Sequence, residues 1–333
     1  MKTILLAVGG NSLIRAGEKG TVAEQLANAS RTASQIVGLL AAGYRVVLTH
    51  GNGPQVGAAL LRSERGASEV PGLPLDVCDA CTQGEIGYLL EQAMETALQN
   101  AGVHLRVATI LTRCVVAAED PAFKLPQKPI GPFYSRSEAD ARRQTFGWQM
   151  VEDASRGYRR VVPSPEPIRI VELEVIRELM VHDVIVIACG GGGIPVITRN
   201  DHLEGVEAVI DKDRASALLA ANLEVDLFVI STDADFVYLD YKRPTQRALR
   251  EAGCRELEEH LAAGQFPPGN MGPKIESVLR FLGCGGKEAI ITSADHLLEA
   301  VTGRAGTHIF PDRKALRCLE QQTLEVPIGG RGS

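Results

Sequence analysis

The stretch RVVLTHGNGPQVG, residues 45–57, joins an apolar, β-branched run to a glycine loop that carries no lysine. Such a run has the composition of a strand buried on both faces, the kind found in parallel sheets. Glycines after it let the backbone approach a ligand closely and aim N–H groups at anionic oxygens. The loop poses a charge problem: an anion held at Gly51, Asn52 and Gly53 needs cations from elsewhere in the chain.

Apolar runs of the same kind recur at ILLAV (4–8), RVATILT (106–112), VIVIA (184–188), LFVIS (227–231) and AIIT (289–292). All are expected to be strands buried on both faces. Helical periodicity fills several of the gaps. Leu26, Ala29, Ala33, Ile36, Val37 and Leu40 keep to one face over 24–42, and Gly43 suits a C-terminal cap. Ile86, Leu89, Leu90, Ala93, Met94, Ala97 and Leu98 do the same over 84–101. This alternation predicts an α/β fold: a mainly parallel sheet between two helix layers, an α/β/α sandwich.

Two segments break the rhythm. Residues 120–167 contain the proline-rich DPAFKLPQKPIGPFY and VVPSPEPI around a polar, helix-like run at 136–144, and read as a lid-like insertion. Residues 240–274 are polar and end in QFPPGNMGPK. The chain thus reads as a single domain over 1–312 with a small lid. Residues 313–333 form a tail of weak periodicity that is expected to be disordered.

Bulk properties narrow the partners. The 333 residues are 45% hydrophobic, with a net charge of -6 and a pI near 5.7. With no lysine- or arginine-rich block, neither nucleic acid nor an anionic membrane is expected as a partner. The start, MKTILLAV, has the outline of a signal peptide, but its apolar run stops at Gly9-Gly10-Asn11, short for an h-region of about 7–15 residues. No apolar stretch reaches the roughly 20 residues of a membrane span. Seven cysteines with a lone CxxC (Cys78, Cys81) suit neither a disulfide framework nor a zinc site, so reduced thiols and a cytoplasmic location are expected.

Glycine loops follow three of the strands, at 9–11, 51–53 and 190–193. In open parallel sheets, ligands bind beyond the C-terminal strand ends. Asn11 and Asn52 can both donate and accept, which suits a small planar ligand better than a bare phosphate; asparagine also tolerates tight turns, so each loop alone is equally a βα turn. The usual nucleotide loops are absent. No GxxxxGK[ST] occurs, and GGGGIP places Pro195 where a Rossmann fingerprint has its third glycine. Three lysines stand in unusual company: Lys128 in QKPIG, Lys212 between Asp211 and Asp213, and Lys274 after the Gly-Pro turn. Phosphoryl transfer needs charge stabilisation and alignment more than covalent help, and such lysines with backbone N–H groups supply both. Taken alone, Asp211-Lys212-Asp213 reads first as a solvated turn with a weak salt bridge.

Together GGN (9–11), HGNGPQVG (50–57), QGEIGY (83–88), KPIGPFY (128–134), RRVVPSP (159–165), GGGGIPV (190–196), GVEAVIDKD (205–213) and GNMGPK (269–274) closely resemble the carbamate kinases, in order and spacing, from about residue 2 to about 310. The resemblance implies the amino-acid-kinase fold with a large open sheet, usually as a homodimer. It implies reversible phosphoryl transfer between ATP and carbamate, giving ADP and carbamoyl phosphate, with Mg2+ carried by the nucleotide and no protein metal site. In catabolic settings the family commonly runs toward ATP.

Carried onto this sequence, the resemblance places Gly10, Asn11, Gly51, Asn52 and Gly53 around the small substrate. Lys128 reaches it from the lid, and Lys212 and Lys274 bind the transferred phosphoryl with Asp213 beside them. Thr232, Asp233, Tyr238 and Met271 border the nucleotide. Carbamate is already an anionic nucleophile, so no general base is required, and His50 is expected to be structural. The sequence departs from the family at Cys81, in place of methionine, at Asn270, in place of serine, and in its longer tail; Cys81 is expected to alter packing slightly. Two other functions stay open at this point: an acyl-phosphate-forming kinase for an amino acid such as glutamate or aspartate, and a catalytically divergent paralogue acting as a binding partner.

Overall fold

The computed structural model describes residues 1–10, 13–15, 17–152, 157–267 and 271–312. Asn11, Asn270 and the 313–333 tail lie outside these. An eight-stranded sheet runs in the order Glu251–Gly253, Thr307–Phe310, Ala289–Ser293, Leu227–Thr232, Lys2–Val8, Tyr44–His50, Val184–Ile187, Arg106–Thr109. Every neighbouring pair is parallel except Ala289–Ser293 with Thr307–Phe310. All six apolar runs therefore contribute strands to one sheet.

The layering follows from the pleat. Along Lys2–Val8, Leu5 and Ala7 enter one hydrophobic cluster while Ile4, Leu6 and Val8 enter another. Leu227–Thr232 divides likewise, with Phe228 and Ile230 on the first side and Leu227 and Val229 on the second. Successive side chains point to opposite faces, so a strand covered on both faces must be apolar throughout. The second cluster is closed by helices Val22–Ala41 and Leu75–Asn100, the first by Lys212–Asn222 and Met271–Gly283. Each fully buried Leu or Ile contributes about 1.5–3 kcal/mol, so a charge at Leu6, which is wholly buried, would open the centre of the sheet.

Contrary to expectation, the 106–112 run is not buried on both faces. Its strand ends at Thr109 and lies at the sheet edge; Arg106 is exposed, and Val107 and Ala108, which pack against opposite clusters, are only half-buried. Residues 110–112 leave the sheet, and Thr112 becomes part of the site framework described below.

Local signals set the helix ends. Thr21 accepts from Glu24 N–H while the Glu24 carboxylate accepts from Thr21 N–H, a capping box that starts Val22–Ala41. Gly43, with φ of 86°, terminates it.

Residues 128–162 build a separate three-stranded antiparallel sheet, Lys128–Tyr134, Tyr158–Val162, Met150–Glu152, with helix Arg136–Phe146 packed on it. Tyr134, Ala139 and Met150 form its small core, and the Arg142 guanidinium sits 4.0 Å over the Tyr134 ring. Ile130 and Val162 seat it against Val56, Leu60, Leu75 and Val209 of the main body. The contact is tight at the backbone: a Cβ on Gly57 would lie 2.0 Å from the Gly131 Cα.

A further four-stranded sheet, His202–Gly205, Ile194–Arg199, Arg113–Val116, Pro167–Ile170, joins these parts. No described helix is long and apolar enough to cross a membrane.

Candidate active site

The three glycine loops converge with the Asp211–Asp213 segment. Gly51 N–H donates to the Val8 carbonyl at 3.0 Å, fixing the second loop against the first. A Cβ at Gly51 would stand 3.1 Å from Gly10 N and 3.2 Å from Lys212 Cδ, so the absent side chain makes the channel for the lysine stem. The 190–193 loop closes from the other side. A Cβ at Gly191 would meet the Asn52 amide at 2.3 Å, and one at Gly192 would meet the Ile210 carbonyl at 2.5 Å. Gln83 pins this loop: its Nε2 donates to the carbonyls of Gly190 (2.9 Å) and Thr112 (3.1 Å), and its Oε1 accepts from Thr112 N–H at 2.8 Å.

Gly53 opens helix Gly53–Gly66, with Pro54 in its first turn and Asn52 as its N-cap. Asparagine there normally accepts from first-turn N–H groups. Asn52 makes no such bond, so the helix N-terminus keeps its donors and its positive potential for a ligand.

The lysines meet across the fold. Lys212, the first residue of Lys212–Asn222, donates to Asp213 Oδ1. Lys274, in the first turn of Met271–Gly283, reaches Asp213 Oδ2 at 3.1 Å. Lys128, on the first strand of the small sheet, donates to Asp211 Oδ2 at 2.7 Å. Sequence reasoning assigned Asp211 no role, yet it both holds Lys128 and caps the 212–222 helix by accepting from Asp213 N–H at 2.9 Å. An aspartate directly before an apolar helix was the available signal.

Charges in this cluster are strongly coupled to burial. Burial alone would raise the Asp213 carboxyl, but the two ammonium groups outweigh it and hold it below its usual range. For Lys274 burial pulls downward and Asp213 prevails, so its pKa is raised. For Lys212 burial prevails, helped by the Lys274 charge, and its pKa is lowered despite Asp213. Burial would raise Asp211 too; Lys128 reverses that. A cleft of about 850 Å³ opens over the cluster, lined by Lys128, Glu166, Asp211, Asp213, Arg214 and Lys274 among others.

The remaining sequence-selected residues lie around the C-terminal half. Thr232 ends its strand beside Ser293, and Asp233 follows it, close enough for its charge to raise Lys274. Met271 opens the Lys274 helix and packs on the core. Tyr238 lies in a two-stranded ladder with Phe236 and Tyr241 as ring neighbours. Among the described residues no group of three or more His, Cys, Asp or Glu side chains is placed to hold a metal ion.

His50 is buried, its Nδ1 lies 3.2 Å from the Gly51 carbonyl, and burial pushes its pKa down to about 4. A carbonyl only accepts, so Nδ1 carries the proton. Cys81 is exposed and alters no core packing, contrary to expectation; the helix turns it to solvent while Cys78 points inward.

The sequence matches the model of the amino acid kinase family over residues 2–293. The carbamate kinase of Thermococcus kodakarensis is 46% identical over 312 residues, covering 93% of this chain and 99% of that protein. A carbamate kinase of Trichomonas vaginalis shows the same identity and coverage. Among solved structures, the Giardia lamblia carbamate kinase bound to AMP-PNP superposes with a TM-score of 0.87 at 43% identity, covering 93% of this chain and 99% of that one.

Proposed function

The chain belongs to the carbamate kinases of the amino acid kinase family, and from that premise we propose how its site works: it moves a phosphoryl group reversibly between ATP and carbamate, in the ATP-forming direction under catabolic conditions. The observation that carries the assignment of roles is the pairing of Lys212 and Lys274 on one buried carboxylate, Asp213, at the floor of the cleft.

Two ammonium groups preset a few ångströms apart match a transferring phosphoryl, whose negative charge spreads over its equatorial oxygens. Asp213 keeps them charged and aimed while the cleft is empty of substrate. Gly10, Asn11, Gly51, Asn52 and Gly53 border the carbamoyl end with backbone N–H groups. Lys128 approaches from the 120–167 segment, which acts as a lid on a single domain spanning 1–312. Thr232, Asp233, Tyr238 and Met271 flank the nucleotide.

Mg2+ fits this donor set only as a passenger of the nucleotide phosphates, since Asp211 and Asp213 are already engaged by lysines. When bound there it would neutralise phosphate charge. We further assign the chain to the cytoplasm as a homodimer.

The test is ATP formation from ADP and carbamoyl phosphate with Mg2+, compared with a panel of amino-acyl phosphates. Lys212→Ala is expected to lower kcat by about 100- to 1000-fold, the usual cost of removing one preorganised donor. Normal turnover in a folded Lys212→Ala protein overturns the assignment.

A further inference from the structure

The Asn52 side chain is turned away from the helix it caps, and its partners explain why. Its Nδ2 donates to Asp79 Oδ1 and, at 2.7 Å, to Thr82 Oγ1. Thr82 commits its own proton to the Asp79 backbone carbonyl at 2.7 Å, so towards Asn52 it can only accept. The amide orientation is thereby forced. Both inner partners take N–H, and Oδ1 is left on the other side with no donor among the described residues. Gly191, with φ of 68° and no Cβ, lets the loop lie flat against this amide.

Asp79 is a costly way to hold an asparagine. It is wholly buried, and its Oδ2 has no hydrogen-bond partner among the described residues. A buried carboxylate without full partners is destabilising, whereas a neutral hydroxyl or methyl would pack there without that cost. When ionised the carboxylate accepts and cannot donate, and a proton carried on the unpartnered Oδ2 still leaves Oδ1 an acceptor, so the group disfavours the flipped amide.

We propose that Asp79 and Thr82 are positioning residues that fix the Asn52 amide with Oδ1 facing the substrate, where it accepts from the amino group of the carbamoyl moiety and discriminates against acyl phosphates that carry a methyl there. This rests on the placement of Asn52 at the carbamoyl end. A site that hydrogen-bonds a substrate N–H rejects the analogue lacking it more strongly than shape alone does.

The experiment is steady-state ATP formation by the full chain with carbamoyl phosphate or acetyl phosphate as donor, for wild type, Asp79→Asn, Thr82→Val and Thr82→Ser. An amide at position 79 can donate, so Asn52 is free to flip. The carbamoyl-to-acetyl ratio of kcat/KM is expected to fall about tenfold in Asp79→Asn and Thr82→Val, the worth of one lost hydrogen bond. KM for carbamoyl phosphate is expected to rise while KM for ADP stays within about twofold, and Thr82→Ser, which keeps the acceptor, is expected to restore the ratio. If Asp79→Asn fails to fold, the Thr82 pair decides alone. Variants that lose activity equally towards both donors, or keep the wild-type ratio, overturn the proposal while leaving the kinase intact. A folded wild type that makes no ATP from carbamoyl phosphate overturns the functional reading beneath it.

Discussion

The Lys128 ammonium lies 2.7 Å from Asp211 Oδ2 although 83 residues separate them in the chain. This ion pair ties the small sheet to the residue that caps the 212–222 helix, so the sheet and the helix that carries Lys212 share one anchor. Asp211 carries two separable loads. Asp211→Asn keeps a good N-cap but leaves the Lys128 ammonium without its charged partner, so some stability is expected to be lost while KM for carbamoyl phosphate rises several-fold. Asp211→Ala loses both, and denaturant unfolding is expected to show a further loss of about 1 kcal/mol. Equal stability of the two variants would remove the cap from the account.

Gly57 is expected to be intolerant of even one methyl group. Its missing Cβ faces the Gly131 backbone at 2.0 Å, and backbone cannot rotate aside as a side chain can. Gly57→Ala is therefore expected to push the small sheet off its seat at Ile130 and Val162, at about 1–3 kcal/mol for overpacking. Limited proteolysis is the readout. Cleavage within 120–167 is expected to accelerate in the variant while the main body stays resistant.

Asp79 predicts a pH-dependent penalty with a definite sign. Burial raises its carboxyl from 3.8 to about 7, against the Asn52 hydrogen bond and the Lys128 charge, with Asp76 adding to the rise. Between these values the folded state holds a proton that the unfolded chain has released. Ionisation thus destabilises the fold progressively as pH rises from about 4 to about 7, and the penalty is complete above that. At about 1.4 kcal/mol for each tenfold change in proton affinity, Asp79→Asn is expected to gain up to a few kcal/mol at pH 8, with the gain shrinking towards pH 5. Chemical denaturation at the two pH values measures it. Higher stability with poorer donor discrimination is the pattern of a residue kept for function.

What the sequence made legible, and what it hid, divides by the range of the interaction. Strands such as 4–8 and 227–231 are readable because burial on both faces demands an unbroken apolar run. Ile194–Arg199 and His202–Gly205 escaped notice because neither is an unbroken apolar run: the first contains Pro195 and ends in exposed Thr198-Arg199, and the second is almost wholly exposed. The three lysines are visible as motifs, yet their carboxylate partners are set by contacts across 61 and 83 residues, except where Asp213 adjoins Lys212. Asp79 was readable in principle. It stands in helical register with Thr82, Gln83, Ile86 and Leu90, all buried, so a carboxylate interrupts an inward-facing stripe. Only the fold shows that the interruption meets Asn52.

His50 supplies the remaining test, because it is the one histidine beside the glycine loops and invites a general-base role. The geometry argues otherwise. Its Nδ1 proton goes to the Gly51 carbonyl, the remaining Nε2 is packed against Gly190, where a Cβ would stand 2.4 Å from it, and burial pushes the ring's pKa down to about 4, which makes that nitrogen a weak base. Carbamate brings its own anionic oxygen, so there is no proton to remove. His50→Gln is expected to retain kcat within about tenfold, below the 100-fold or greater effect typical of a general base, and to leave the acid limb of the pH–rate profile unmoved. Stability behaves differently. The folded pKa lies below the ordinary 6.5, so the unfolded state takes up the proton first, and the fold loses stability as pH falls from about 6.5 towards about 4. The variant is expected to lose that acid sensitivity, and a kcat loss of about 1000-fold with unchanged acid sensitivity would return His50 to the chemistry.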